Sequence, residues 1–318
     1  MTIAAFAPAK VNLCLHVVGR RPDGFHLLDS LVAFCDIGDT VSAAPAERLS
    51  LAVDGPEAES LAGLGPDNLV LRAAHRLAEA CGIAEGAALR LEKILPVSSG
   101  IGGGSSDAAA ALRALAALWQ VALDDAALLS LAAELGSDVP ACLFGAPCWM
   151  SGVGERLDAV AGLPQVGIVL ANPRRPLPTA AVFRARAGRF SEAARFAVPR
   201  HPVELAAALR ATRNDLEAPA TALVPEIRTV VDRLAKLPGA LLARMSGSGA
   251  TCFALFPDRA GAERAAVSLA DAEPRWWHAA GVLTGGASPL EAREAPSSPV
   301  RQLGRVWRGH PRSASEAS

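Results

Sequence analysis

The sequence contains no tyrosine, so any chemistry that needs a phenol as acid, base or nucleophile is excluded. It has no charge excess either: 31 basic residues face 32 acidic ones, a formal net charge of −1. That balance gives no electrostatic reason to expect nucleic acid or an anionic membrane as partner. Long uncharged apolar runs are missing. The most apolar stretch, residues 108–123, is interrupted by Arg113 and reads as a buried helix rather than a membrane span. Residues 1–10 lack the basic start and the apolar length of a secretory leader, so a cytoplasmic location is expected. The six cysteines, at 14, 35, 81, 142, 148 and 252, form no CxxC pair and no Cys/His ligand spacing. They read as reduced structural thiols.

What is present is a chain of 318 residues, 51% hydrophobic, ample for a large core. At roughly 100–200 residues per domain it divides into two. Strand-like and helix-like runs mix without regular βαβ alternation, which favours an α+β fold. The spacing predicts strands over 10–18 and 27–34, and a short strand over 40–43 set apart by Gly38-Asp39. Helices are predicted near 69–80, 105–119, 202–210, 224–237 and 263–271, and a last strand over 276–283. The expected domains are 1–155 and 156–284. Beyond 284 the composition turns to Gly, Ser, Pro and Arg, and 285–318 reads as a disordered tail.

The most informative segment is Leu95-Pro-Val-Ser-Ser-Gly-Ile-Gly-Gly-Gly-Ser-Ser-Asp107, which runs straight into an apolar helix. Glycine leaves backbone N–H groups open to close approach, and the helix start adds free donors and a positive dipole end. Together these make an anion cradle suited to phosphate, although a loop that merely caps the helix has the same composition. No Gly-Lys-Ser/Thr closes the loop, so it is not a Walker A motif. A second glycine-serine element, Met245-Ser-Gly-Ser-Gly-Ala-Thr-Cys252, sits between two strand-like runs. It reads as a hairpin turn, or as a second wall holding a nucleotide triphosphate from the other side. Taken singly, Lys10 reads as a surface lysine, Asp138 as a loop or capping residue, His26 as solvent-facing and Phe25 as core.

Taken together, the motifs resemble a known family. Pro8-Ala-Lys-Val-Asn-Leu13, Gly19-Arg-Arg-Pro-Asp-Gly-Phe-His26, the 95–110 loop, Leu135-Gly-Ser-Asp-Val-Pro140, Gly152-Val-Gly-Glu155, Asn214-Asp-Leu-Glu217 and Met245-Ser-Gly-Ser-Gly249 occur in the order of the GHMP kinases. The glycine loop alone is similar to the whole superfamily. The pairing of residues 8–13 with 22–26 resembles its diphosphocytidyl-methylerythritol branch. The resemblance implies a two-domain α+β fold with the active site in the cleft between domains, and an ATP-dependent transfer to a small-molecule alcohol, diphosphocytidyl methylerythritol, on the non-mevalonate route to isoprenoid precursors.

It also implies roles. Asp138 is the general base and Lys10 its charge partner. The ATP phosphates are wrapped by Pro96, Ser98, Ser99, Gly100, Ile101, Gly102, Gly103, Gly104, Ser105 and Ser106. Mg²⁺ accompanies ATP, with Ser105 or Ser106 as its contact. Asn12 orients substrate or lysine, His26 hydrogen-bonds cytosine, and Phe25 and Phe183 wall it. Thr179, Ser246 and Gly247 complete the cleft. The family commonly has tyrosine where this chain has Phe25, so a phenolic hydrogen bond is lost while stacking remains. A homoserine or mevalonate type of GHMP kinase, and a non-catalytic nucleotide-binding or sugar-binding protein, are the competing readings. Monomer and homodimer both remain open.

Overall fold

Strands come first in this computed structural model, which describes residues 1–121 and 124–284. The expected tail, 285–318, lies outside the described residues. β1 (Ile3–Asn12), β2 (His16–Arg20), the 21-residue β3 (His26–Ala46) and β4 (Ser50–Asp54) precede helix α1 (Leu69–Cys81). Then come β5 (Gly86–Glu92), α2 (Gly103–Leu118), α3 (Asp125–Leu135), α4 (Val139–Phe144), β6 (Cys148–Gly152) and β7 (Arg156–Ala159). The remainder is β8 (Val166–Asn172), α5 (Thr179–Ala185), α6 (Pro202–Arg210), α7 (Glu217–Leu223), α8 (Glu226–Ala235), β9 (Leu242–Met245), β10 (Cys252–Phe256), α9 (Arg259–Ala272) and β11 (Trp277–Thr284).

The fold is α+β, as the sequence pattern suggests. All the strands join one sheet, ordered β4-β5-β3-β11-β8-β10-β9, with β1, β2 and β6 also on β3 and β7 on β6. Among these ladders β4 with β5 is parallel and the others are antiparallel. The last strand carries the sheet back to the first half, pairing Leu283 with Cys35 and Thr284 with Phe34. β7 follows position 155, yet its ladder runs along β6.

β3 runs straight through Gly38-Asp39, where the sequence pattern places a break. A Cβ at Gly38 would meet the Ala7 carbonyl oxygen at 2.3 Å, so glycine here permits the close approach of β1 rather than a turn. Asp39 is a buried acceptor inside the strand, not a loop residue.

Helix α2 is the central support of the site. Its run Ala108–Ala111 is fully buried, and it packs on β1, β3 and α1. Alanine combines the best helix propensity with the smallest side chain, so the helix forms readily and lies close to the sheet. Leu112 and Leu115 are buried with it, each contributing about 1.5–3 kcal/mol. Asn68 caps α1 by accepting from the Val70 N–H at 2.9 Å, and Asp124 caps α3 by accepting from Ala127 at 2.8 Å. All six cysteines are free thiols. No helix among the described residues is long and apolar enough to cross a membrane.

Candidate active site

Lys10 lies on β1, where the register with β3 shifts between Pro8 and Lys10. Its backbone N–H donates to the Ile101 carbonyl at 2.9 Å, tying the strand to the glycine loop. The side chain is only 3% exposed, which corrects the surface reading. A buried ammonium needs partners. Lys10 Nζ donates to Asp138 Oδ1 at 2.9 Å and to Asn12 Oδ1 at 3.2 Å. Asn12 is held in turn by donating to Ser30 Oγ at 2.8 Å, and Ser30 Oγ donates to the Cys14 carbonyl. Asp138 stands at the start of α4, but its side chain makes no capping bond and its carboxylate, 38% exposed, reaches toward the cleft. The amine and the acid converge across 128 residues of sequence.

The loop from Ile94 to Gly102 follows β5 and Lys93 and leads into the first turn of α2, Gly103–Ser106. Gly100 and Gly102 take positive φ values of 75° and 64°. A Cβ on Gly100 would lie 2.6 Å from the backbone N and O of Gly249, and one on Gly102 would lie 3.1 Å from the Lys10 side chain. The second glycine element packs against the back of the first. Thr251 N–H donates to the Ser99 carbonyl at 3.0 Å, and Ser246 Oγ donates to the Gly100 carbonyl while accepting from Asn12 N–H, both at 3.1 Å. It is the hairpin turn between β9 and β10. Gly247 and Ser248 of this turn line the cavity, and Ser246 does not. Thr179 Oγ1 lies 2.8 Å from Ser248 Oγ.

A cavity of about 1120 Å³ runs along these residues and draws its lining from both halves of the chain. Lys10, Asn12, Phe25, His26, Ser98, Ser99, Gly100, Gly102, Gly103, Gly104, Ser105, Asp138, Thr179, Phe183 and Gly247 all line it. Pro96, Ile101, Ser106 and Ser246 do not; they are buried behind the loop. Ser106 is buried off the cavity, with its Oγ donating to the Pro8 carbonyl at 2.6 Å, so of the two serine candidates for a metal contact Ser105, on the cavity wall, is the one that fits. Its hydroxyl supplies one hard oxygen donor, which suits a cation that keeps waters and substrate phosphates as its other ligands.

At the other end of the cavity the His26 ring stacks on Phe183, with centroids 5.0 Å apart and planes at 26°. Phe25 is 61% exposed, not core. Partial burial, then the charges of Arg20 and Arg186, holds the His26 imidazole below its usual range, so it is neutral at physiological pH. Arg20, Arg184 and Arg186 line the same cavity. Arg20 lies in the Gly19–His26 motif without a role read for it, and Arg184 and Arg186, in and just after the short helix α5, carry no spacing signal.

A second omission lies beneath the loop. Lys93 Nζ donates to Asp107 Oδ2 at 2.8 Å and pairs with Asp39, and all three side chains are buried. Burial pushes the Asp107 carboxyl up to about 8; the neighbouring Lys93 opposes this and the Asp39 charge adds to it. The signal was available: a lysine ending a strand immediately before the loop, and an aspartate one turn into the helix after it.

The fold and the loop define a two-domain phosphotransferase of the GHMP class. The GHMP kinases N terminal domain family matches residues 68–146, and the GHMP kinases C terminal family matches residues 196–274. A relative from Cereibacter sphaeroides, named 4-diphosphocytidyl-2-C-methyl-D-erythritol kinase, is 55% identical over 284 residues, 88% of this chain and 99% of that protein. A crystal structure of 4-(cytidine 5'-diphospho)-2C-methyl-D-erythritol kinase is similar at a TM-score of 0.72 and 41% identity, over 89% of this chain and 100% of the other. The homoserine kinase of Cytophaga hutchinsonii has a TM-score of 0.67 at 18% identity, over 89% and 94%, a likeness of fold alone. The chain therefore belongs to the 4-diphosphocytidyl-2-C-methyl-D-erythritol kinase family of the GHMP kinases, and it is an ATP-dependent small-molecule kinase.

Proposed function

We propose that this chain transfers the γ-phosphoryl of ATP to the 2-hydroxyl of 4-diphosphocytidyl-2-C-methyl-D-erythritol, a step toward isoprenoid precursors. The observation that carries the reading is the Lys10–Asp138 pair, 2.9 Å long, on the wall of the cavity that the glycine loop also lines. Two lobes form that cleft: residues 1–155, with β7 completing its last hairpin, and the rest to 284. Asp138 accepts the proton of the attacking hydroxyl. Lys10, fixed by Asn12, orients the carboxylate and neutralises charge that develops on the transferring phosphoryl. The backbone N–H groups of 100–105, at the N-terminus of α2, receive the phosphates. Mg²⁺, held through the Ser105 hydroxyl, neutralises phosphate charge when bound. The stacked His26–Phe183 pair and exposed Phe25 suit a flat nucleobase, and Arg20, Arg184 and Arg186 suit an anionic substrate.

A coupled ADP-release assay tests this with a panel of alcohols. ADP release with the diphosphocytidyl compound, lost when Mg²⁺ is chelated and restored on its return, is expected. Phosphorylation of homoserine or mevalonate with none of the diphosphocytidyl compound would overturn the substrate assignment.

A further inference from the structure

The phosphate loop is closed at its base by a buried ion-pair cluster. Lys93 is the last residue before the loop, and Asp107 lies one turn into the helix that follows it. The 2.8 Å bond between them ties the loop's two ends together across 14 residues. Asp39, from the middle of β3, completes the tie. Its Oδ2 pairs with Lys93, and its Oδ1 accepts the N–H groups of Ile94 at 2.5 Å and Leu95 at 2.8 Å, the first two residues of the loop. Gly103 makes room for the arrangement, since a Cβ there would stand 3.2 Å from Lys93 Nζ. The side chains of Asp39, Lys93 and Asp107 are 0%, 2% and 3% exposed, yet Lys93 and Asp107 also border the cavity.

Energetics argue against a role in stability alone. Each buried ion forfeits several kcal/mol of hydration, and well-packed apolar side chains of similar volume often serve a core as well or better. The cluster has two carboxyl groups for one ammonium, and Asp107 Oδ1 has no partner among the described residues. What the polar groups add is directionality: charge-assisted bonds fix the ends of a glycine-rich segment whose Leu95 and Ile101 are also packed in the core.

Building on the kinase reading above, we propose that Asp39, Lys93 and Asp107 form a clamp that keeps the loop in its anion-binding shape, making Lys93 and Asp107 positioning residues for ATP. They act through the loop backbone and not on the hydroxyl acceptor.

The test uses the full chain with Lys93→Met and Asp107→Leu, which keep side-chain size and remove the hydrogen-bonding groups. ATP affinity is measured by calorimetry without the second substrate, alongside KM for each substrate, kcat and Tm. Each variant is expected to weaken ATP binding about tenfold or more, the scale of one lost charge-assisted hydrogen bond, with the acceptor KM within about twofold. A fall in Tm with unchanged ATP affinity, or equal losses for both substrates, would overturn the clamp. If Lys93→Met does not fold, Asp107→Leu decides by the same criteria. Because ATP binding is read directly, failure of the substrate assignment shows separately, as wild-type protein that binds ATP but does not phosphorylate the diphosphocytidyl compound.

Discussion

Single residues in this protein are governed by whether a buried polar group finds a partner. Lys10 finds two, and its position depends on both. His16 finds none among the described residues: it is 4% exposed and neither ring nitrogen is bonded to them. Burial is the main cause that holds its imidazole below the ordinary value, with Arg213 and Arg244 acting in the same direction against Asp215 and Asp29. The unfolded imidazole takes up its proton near pH 6.5, before the folded one. His16 therefore contributes stability that is complete above that pH and is lost as pH falls through its lower folded value. Thermal melts from pH 7.5 to 5 should fall more steeply for wild type than for His16→Gln, and parallel slopes would remove His16 as the cause. The aromatic end gives a second expectation. Phe183→Ala removes the stacking face for His26 and for a nucleobase, so the acceptor KM should rise about tenfold, from roughly 1–1.5 kcal/mol of lost stacking, with ATP KM unaffected.

Elements were legible where a local signal existed. Asn68 and Gly82 bracket α1 within one residue of the expected span, and Pro202 opens α6 as its position suggests. The glycine loop was legible because four glycines stand against the start of an alanine-rich helix. Gly38-Asp39 misled for a physical reason. A glycine needed for close strand approach, and an aspartate whose partner is Lys93, 54 residues away, look the same in sequence as a turn. The two glycine elements likewise give no hint in sequence that the second packs against the first. Their packing makes a test at this scale. Gly102→Ala places an ordinary residue at φ 64°, costing about 1–2 kcal/mol, and crowds the Lys10 side chain at 3.1 Å. A lower Tm and a raised ATP KM are expected together, and a variant with wild-type ATP KM would show that the loop's backbone shape does not matter to the nucleotide.

At the scale of the whole molecule, one sheet spans both halves, and β3 is its axis. It pairs with β1, β2, β5, β6 and β11, so residues from opposite ends of the chain are set against one another. That arrangement brings Lys10 near Asp138 and Gly247 near Gly100, and no spacing rule could have supplied those distances. The order of motifs along the chain indicated the family, while the fold makes a single cleft of them. The same cavity is lined by the start of α2, by Phe183 and by the Lys10–Asp138 pair.

Turnover of Asp138→Asn, measured beside its ATP affinity, probes the pair at the centre of the cleft most directly. The amide keeps the shape of the carboxylate and cannot take the proton of the hydroxyl. A fall in kcat of about 10²–10⁴-fold with ATP affinity within about twofold of wild type is the expected result. Wild-type turnover in that variant would contradict the role of Asp138 and, with it, the mechanism built on its pairing with Lys10.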